Sequence, residues 1–392
     1  MKAQNEIYLD NSATTPLSHA AWAKLSEVAP IYGNPSSLHS VGQAAEHVLK
    51  EAREQLLLAL GIRPRQGDTF VFTSCGTEAT SLAILGTAYA KKRRDALRIL
   101  TTDSEHPSVL RVMELLSEDG FEVIKLSTKG GALDMDELDG VLAENKNILL
   151  ASLMLVNNET GARYEVEDAF LRIKRKYPDA VTHCDAVQGF MKIPFTPASL
   201  HADLITVSGH KVHAPKGVGG LYISADMIKK KKIRPFLYGG GQESGLRSGT
   251  ENLLGIAAFG AAVADIRSRR AANEAHLSEL YAYATQQLSK LDVRINTPSG
   301  KHVSHILNLT LPSIKSETAL HFLSGEGIYV SSGSACSSHS HHPSETLLAF
   351  GLTPKEADCS LRVSFSEYNK KEDIDALTAA LASALERLVR IR

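Results

Sequence analysis

The fold is decided by one stretch, Asp203-Leu-Ile-Thr-Val-Ser208-Gly-His210-Lys211-Val-His213-Ala-Pro-Lys216-Gly-Val-Gly-Gly220. Its first half is a short apolar run rich in β-branched residues, which predicts a buried strand. The strand leads into a polar turn that holds Lys211 between two histidines. Most lysines are solvated surface residues, but a lysine just past a buried strand is well placed to lose its proton and attack a carbonyl. The stretch therefore predicts a reactive lysine at the edge of a sheet.

Length and composition are those of a globular protein. The chain has 392 residues, of which 43% are hydrophobic and 22% are charged, and its formal net charge is −1. We expect a large core divided between two domains. With so little net charge, neither nucleic acid nor an anionic membrane is expected as a partner. Because no apolar run reaches about 18 residues and the N-terminus lacks an apolar signal region, we expect no membrane span and a cytoplasmic location.

The cysteines do not form a disulfide framework. There are only four in this long chain, and no Cys-x-x-Cys pair suggests a zinc site. Cys184 lies within a predicted strand, and Cys359 precedes one. This usage fits a cytosolic protein that keeps at least one thiol for reactivity. The four positions are Cys75, Cys184, Cys336 and Cys359.

Predicted strands alternate with predicted helices through the first two thirds of the chain. Helical periodicity separates most of the strands, at about 40–60, 107–119, 134–144 and 165–176. This alternation predicts an α/β fold with a seven-stranded, mostly parallel sheet flanked by helices. The predicted strands are 68–74, 97–102, 121–126, 148–156, 180–185, 203–208 and 219–223.

Chemically active side chains follow five of these strands. In an open α/β sheet, ligands bind beyond the carboxyl ends of the strands, so these positions are expected to converge on one crevice. A strand, a small-residue turn and a helix start at Gly76 also predict an anion site, because free backbone N–H groups point outward there. The five positions are Thr77, His106, Asn158, Asp185 and Lys211.

The last third of the chain predicts a second, smaller domain. A long helix is expected near 252–291, and we place the boundary near 258. The large domain is then 14–258, and residues 1–13 with 259–392 form a small α+β domain. Its predicted strands are 304–311, 328–331 and 360–366, and its predicted helices are 316–325, 343–350 and 371–390.

Small polar residues occupy about 331–343, Ser331-Ser-Gly-Ser-Ala-Cys336-Ser-Ser-His339-Ser-His341-His342-Pro343. Such a run predicts an exposed, mobile loop, where Cys336 would not be the core filler that free cysteines often are. The histidines raise the possibility of a metal site. We expect them instead to tune or solvate the thiol, and no metal is predicted.

Together these motifs resemble those of the NifS/IscS-like cysteine desulfurases, pyridoxal-phosphate enzymes of fold-type I in the class V aminotransferase-like family. The resemblance spans about 7–368. It depends on Ser208-Gly-His210-Lys211, on the Asp-x-x-Gln that ends in Gln188, on the run that ends in Cys336, and on the glycine-rich stretch 238–252. The sequence departs from the family at Cys75, where Gly or Ala is commoner. After Ser364, Phe-Ser-Glu-Tyr replaces the Gly-Arg often found in relatives.

The resemblance implies a pyridoxal 5'-phosphate (PLP) cofactor held by Lys211, with its phosphate on Gly76 and Thr77. It further implies that His106 stacks on the cofactor ring, that Asp185 faces the ring nitrogen, and that Gln188 approaches the ring hydroxyl. Thr250 would reach the phosphate of the other subunit in a homodimer. Arg362 would bind the substrate carboxylate through its planar fork. The remaining implied contacts are Asn158, to cofactor and substrate, and Ser208 and His210, to cofactor.

The activity implied by the resemblance is conversion of L-cysteine to L-alanine, with a persulfide formed on Cys336 and passed to an acceptor protein. Lys211 and His106 would complete the catalytic set. The acceptor would be an iron–sulfur scaffold or a tRNA-thiolation enzyme. A selenocysteine lyase, an aminotransferase and a non-catalytic sulfur-relay protein remain alternatives. The lysine run 229–232 is either a solvated charged face or a docking patch for an acidic acceptor or a tRNA.

Overall fold

The computed structural model describes residues 6–63, 67–90, 97–312, 314–332 and 343–388. Strands and helices alternate through the first two thirds of the chain, as the sequence predicts. The strands are β1 Ile7–Tyr8, β2 Thr69–Thr73, β3 Arg98–Thr102, β4 Glu122–Leu126, β5 Ile148–Met154, β6 Val181–Asp185, β7 Leu204–Ser208, β8 Gly219–Ile223, β9 Arg294–Ile295, β10 Ile306–Thr310, β11 Ile328–Tyr329 and β12 Ser360–Ser364. The helices are α1 His19–Val28, α2 Ser40–Ala59, α3 Gly76–Ala88, α4 Pro107–Glu118, α5 Met135–Ala143, α6 Val166–Lys176, α7 Pro197–Leu200, α8 Ala225–Lys229, α9 Leu253–Leu288, α10 Ser316–Gly325, α11 Glu345–Ala349, α12 Pro354–Asp358 and α13 Lys371–Arg387.

A seven-stranded sheet in the order β2-β8-β7-β6-β5-β3-β4 forms the centre of the molecule. Only β8 runs antiparallel to its neighbours, so the predicted mostly parallel sheet is confirmed. Helices cover both faces, which is why the inner strands are apolar on both sides. One core contains side chains of α3 and α4, such as Leu82 and Met113. The other contains side chains of α2, α6 and α9, including Leu56 and Phe170.

A third hydrophobic core, the small core, lies around a smaller antiparallel sheet, β12-β10-β9. Leu309 and Leu361 from this sheet pack against Leu377 of α13. Strand β1 pairs in parallel with β11 beside it. The N-terminal segment is therefore joined to the last third of the chain.

Helix α9 connects the core under the large sheet with the small core. Phe259 and Val263 in its first half pack into the core under the large sheet, whereas Leu277 and Leu280 in its second half pack into the small core. The helix runs without a break through residue 258. The division that we place at this position therefore falls inside a continuous helix.

The sequence analysis missed four short elements, α7, α8, α12 and β9. Each has two to five residues, which is too few for a hydrophobic period to emerge. Two of them carry a signal of another kind, because Thr196 with Ser199 and Thr353 with Glu356 form capping boxes at the starts of α7 and α12. Among the described helices, none is long and apolar enough to cross a membrane.

Candidate active site

The carboxyl ends of the parallel strands open into a cavity of about 180 Å³. Almost every predicted site residue that the structure describes lies on its wall, although these residues come from distant parts of the sequence. Ser12, Ala13 and Cys75 also contribute to the wall. The predicted residues that line it are Gly76, Thr77, His106, Asn158, Asp185, Gln188, Ser208, His210, Lys211 and Arg362.

Some predicted residues are not brought to this cavity. Thr250 is described and is exposed on the surface, outside the cavity wall. Cys336 lies outside the described residues, as do His339, His341 and His342. Among the described residues, no group of three or more His, Cys, Asp or Glu side chains could hold a metal ion.

One wall of the cavity is shaped to receive an anion. Helix α3 begins at Gly76, and the Cys75 side chain makes no capping hydrogen bond, so the first N–H groups of the helix are left for a ligand. The Ser208 hydroxyl is buried and has no hydrogen-bond partner among the described atoms. A Cβ at Gly76 would lie 3.3 Å from the Ser208 Cβ, and one at Gly219 would lie 2.6 Å from the Cys75 carbonyl carbon. Glycine at both positions keeps the cradle open.

Asp185 lies at the end of β6, with 5% of its surface exposed. Its Oδ1 accepts a hydrogen bond of 3.0 Å from the Val187 N–H. Burial raises the pKa of Asp185 to about 6, although this hydrogen bond and the charge of Lys211 oppose the rise. Near neutral pH the side chain is therefore a buried carboxylate, able to hold a proton on a heterocyclic nitrogen.

Lys211 ends the short 3₁₀ turn that follows β7. Its Nζ donates to the carbonyl oxygens of Ser12 at 2.6 Å and Ala13 at 2.7 Å. The N-terminal segment thus holds the amine at the cavity wall. Gln188 Nε2 donates to the same Ser12 carbonyl at 2.9 Å, so Gln188 and Lys211 share one acceptor.

The two histidines on the wall are neutral at physiological pH. His106 caps α4, and its Nδ1 accepts from the Ser108 N–H at 3.1 Å, so the neutral ring carries its hydrogen on Nε2. Burial, together with the charge of Lys211, lowers the pKa of His106 to about 4. The same two causes lower the pKa of His210 to about 3. A neutral His106 can stack on a ring or exchange a proton through Nε2.

Arg362 is almost completely buried on β12, with 1% of its surface exposed. Its Nη1 donates to the Asn158 carbonyl at 2.9 Å and its Nη2 to Asp10 Oδ1 at 2.7 Å. Its Nε has no partner among the described atoms. The guanidinium therefore keeps donor capacity for another anion beside Asp10.

Sequence reasoning missed two carboxylates near this site. Asp10 is not among the residues to which the sequence analysis assigns a role, and its pairing with Arg362 joins positions that are far apart in sequence. Glu105 precedes His106 and is buried, and its Oε1 accepts from the Met154 N–H at 2.8 Å. Burial raises the pKa of Glu105 to about 8, and the charge of Asp185 adds to the rise. The sequence signal available for Glu105 was its position directly before the predicted site residue His106.

This fold and this cavity define the class of protein. The chain belongs to the class-V aminotransferase family, whose profile matches residues 7–377. It is 37% identical over 386 residues to a cysteine desulfurase of Trichormus azollae, covering 97% of this chain and 93% of the relative. It is 35% identical over 389 residues to the cysteine desulfurase IscS of Dictyoglomus turgidum, covering 98% of this chain and 96% of the relative.

Solved structures agree with the sequence comparisons. A NifS-like protein superposes with a TM-score of 0.89 at 33% identity, covering 98% of this chain and 100% of that one. The predicted resemblance to NifS/IscS-like proteins and the predicted fold are both confirmed. The family implies a PLP cofactor.

Proposed function

We propose that the chain is a PLP-dependent cysteine desulfurase. L-cysteine and the Cys336 thiol would give L-alanine and a Cys336 persulfide: the C–S bond of the substrate breaks and an S–S bond forms on the enzyme. The observation that carries the proposal is the cavity. It brings an amine, a buried carboxylate, an anion cradle and a guanidinium together at the carboxyl end of one sheet.

The residues present fit PLP. The anion cradle at Gly76 and Thr77, with the unpartnered Ser208 hydroxyl, suits its phosphate. Asp185 suits its pyridine nitrogen, and Lys211 its aldehyde. When bound, the cofactor supplies an electron sink for the substrate's α-carbon.

The chain's own groups would divide the proton chemistry. Asp185, as a carboxylate, keeps the ring nitrogen protonated. Lys211 would be the general base that takes the α-proton of the substrate. His106, neutral and on the same wall, would move protons to and from sulfur through Nε2. Burial keeps His106 neutral, and the Val187 hydrogen bond with the Lys211 charge keeps Asp185 ionised near neutral pH in spite of its burial.

Arg362 would bind the substrate carboxylate. Its position on β12, a strand of the smaller sheet, brings it to the wall of the cavity. Because Asp10 already accepts from its Nη2, substrate would share the guanidinium with Asp10 or displace it. Binding should therefore depend on Asp10 as well as on the arginine.

Cys336 would be the sulfur nucleophile, acting as a thiolate. The residues on either side of 333–342 are attached beside the cavity. Ser331 exchanges two backbone hydrogen bonds with Arg362, of 3.1 and 2.7 Å, and Ser344 Oγ donates to Glu159 at 2.6 Å, next to Asn158. Five residue steps join Ser331 to Cys336, and a chain spans at most ~3.6 Å per residue, so the two Cα atoms are within about 18 Å of each other. This tether supports the role of Cys336.

The working unit would be a homodimer that passes sulfur to an acceptor protein. Thr250 is exposed, outside the cavity of its own chain. It is thus available to complete the phosphate site of a second subunit. The acceptor would be an iron–sulfur scaffold or a tRNA-thiolation enzyme.

The proposal is tested by mass spectrometry and product analysis after incubation with PLP and L-cysteine. We expect alanine, no 2-oxo acid, and a mass increase of one sulfur atom on the peptide that contains Cys336. Cys336→Ser should keep the visible absorbance of bound cofactor and form no persulfide. Cys359→Ser, at a buried cysteine, is the matched control and should react as the native protein does.

Two results would contradict the proposal. Sulfide release by Cys336→Ser at the native rate would exclude that thiol as the nucleophile. An unchanged cofactor spectrum in Lys211→Ala would remove the lysine assignment. The partner is identified by incubating the persulfide form with each candidate acceptor and measuring by mass spectrometry which acceptor gains the sulfur atom.

A further inference from the structure

A second, much smaller cavity lies behind Lys211. Its volume is about 30 Å³, enough for one water molecule. Lys211 lines both this chamber and the active-site cavity. The contacts that hold the residues of the chamber in place therefore also position the Lys211 amine at the active-site cavity.

An ion pair between His213 and Glu367 forms one side of the chamber. His213 Nε2 lies 3.2 Å from Glu367 Oε2, and the two side chains are only 4% and 12% exposed. His213 Nδ1 lies 2.9 Å from the Pro16 carbonyl oxygen. A carbonyl cannot donate, so Nδ1 carries a hydrogen, and Nε2 needs a second one to bond the carboxylate.

The carboxylate that faces His213 Nε2 is ionised. Burial opposes ionisation of Glu367, but the contact with His213 outweighs it and holds the pKa of Glu367 below its ordinary value. The carboxylate is thus ionised near neutral pH. Both ring nitrogens of His213 therefore face an acceptor, the Pro16 carbonyl oxygen and the Glu367 carboxylate.

His213 also closes the turn that carries Lys211. Its backbone has a positive φ of 59°, which is strained for a residue other than glycine and persists only where surrounding contacts impose it. Those contacts come from the N-terminal segment. The His213 N–H donates to Thr15 Oγ1 at 2.8 Å, and the Ser18 N–H donates to the His213 carbonyl at 3.0 Å.

Several buried polar atoms around the chamber lack a partner among the described atoms. They are Glu367 Oε1, Arg270 Nη2 and His305 Nε2. All three belong to residues that line this water-sized space, which suits one ordered water. The charged and titratable groups that face Glu367 are His213, Lys192, Lys211, Arg269, Arg270, Glu274, His305 and Tyr368.

We propose that Glu367 is a positioning residue for Lys211: it keeps His213 charged, and the charged pair, completed by an ordered water, fixes the 211–213 turn against the N-terminal segment. This rests on the proposed function only in taking Lys211 as the lysine that captures the cofactor.

The protonation of His213 is measured directly by nitrogen-15 NMR of the histidine-labelled protein at neutral pH. His213→Gln assigns the signal. We expect both ring nitrogens of His213 to carry hydrogen in the native protein, and only one to do so in Glu367→Gln. A singly protonated His213 in the native protein would overturn the proposal without the need for any variant at 367.

The positioning role is measured by the rate at which cofactor-free protein gains the absorbance of bound PLP. Glu367→Gln should slow capture about tenfold, because a hydrogen bond between charged groups is lost. Glu367→Asp, which keeps the charge, should restore most of the rate. Glu274→Gln makes the same chemical change at an exposed residue on the chamber wall and serves as the control.

Native capture rates in Glu367→Gln would refute the role, and so would equal slowing by Glu274→Gln. Neither experiment uses cysteine. Capture of PLP without desulfuration would therefore defeat the proposed function and leave this inference standing. Failure of the native protein to capture PLP would defeat both.

Discussion

Replacing Glu105 by glutamine should make the protein progressively more stable than the native form as pH rises. Glu105 is buried at the end of β3, with 1% of its surface exposed. Thr102 Oγ1 and the Met154 N–H both donate to its Oε1, and its Oε2 has no partner among the described atoms. Glutamine keeps the shape and the accepting oxygen but cannot ionise.

The magnitude follows from the pKa of Glu105, which burial raises from 4.5 to about 8. Between these values the folded protein holds a proton that the unfolded chain has lost, so stability falls as pH rises. The free energy of unfolding that this proton contributes is fully present below pH 4.5 and is lost by about pH 8. At ~1.4 kcal/mol per pH unit, the loss totals about 5 kcal/mol, and Glu105→Gln should escape most of it.

The assay is urea unfolding of the cofactor-loaded native protein and the variant at about pH 5 and about pH 8.5. We expect the difference in unfolding free energy to move in favour of the variant by several kcal/mol between the two conditions. Asp185 titrates in both proteins, and because its charge raises the pKa of Glu105, the difference includes the coupling between the two carboxyl groups. Glu118→Gln, at an exposed position, controls for loss of surface charge. A difference that stays constant with pH would refute the reasoning.

Two further predictions concern the cavity itself. The kcat/KM for cysteine should fall as pH drops through about 6, where Asp185 takes up a proton. Asp185→Asn should keep the cofactor, but its kcat should fall about a hundredfold and its pH profile should lose the fall near pH 6. A native kcat in this variant would contradict the role of Asp185. Gly76→Ala should weaken PLP binding about tenfold in equilibrium dialysis, because its Cβ would lie 3.3 Å from the Ser208 Cβ. Gly140→Ala, where a Cβ meets nothing within 4 Å, should bind PLP like the native protein.

Burial determines the protonation of this site more than ion pairing does. Glu105, Asp185, His106 and His210 all have pKa values shifted toward the neutral form, with burial as the largest cause. Asp185 alone of these is a carboxylate at neutral pH, because the Val187 hydrogen bond and the Lys211 charge oppose its shift. One fixed anion among neutral groups suits a site that must hold a single proton on a ring nitrogen.

The sequence by itself determined the class of fold. Local patterns decided it: β-branched apolar runs such as 203–208 alternate with helical periods, and reactive residues at strand ends such as Asp185 and Lys211 converge because parallel strands end at one edge. Motif resemblance added the family, which the comparisons confirm. Both kinds of information are carried by residues close together in the chain.

The tertiary structure alone decided which distant groups meet. Asp10 reaches Arg362 across 352 positions, and Ser12 accepts from Lys211 across 199. Likewise, Glu367 faces His213 only because the small core brings the segment after β12 against the turn after β7. No period or motif encodes such contacts, since they arise from packing between elements. Burial, which raises the pKa of Asp185 and Glu105 and lowers that of His106, is also a property of the whole fold.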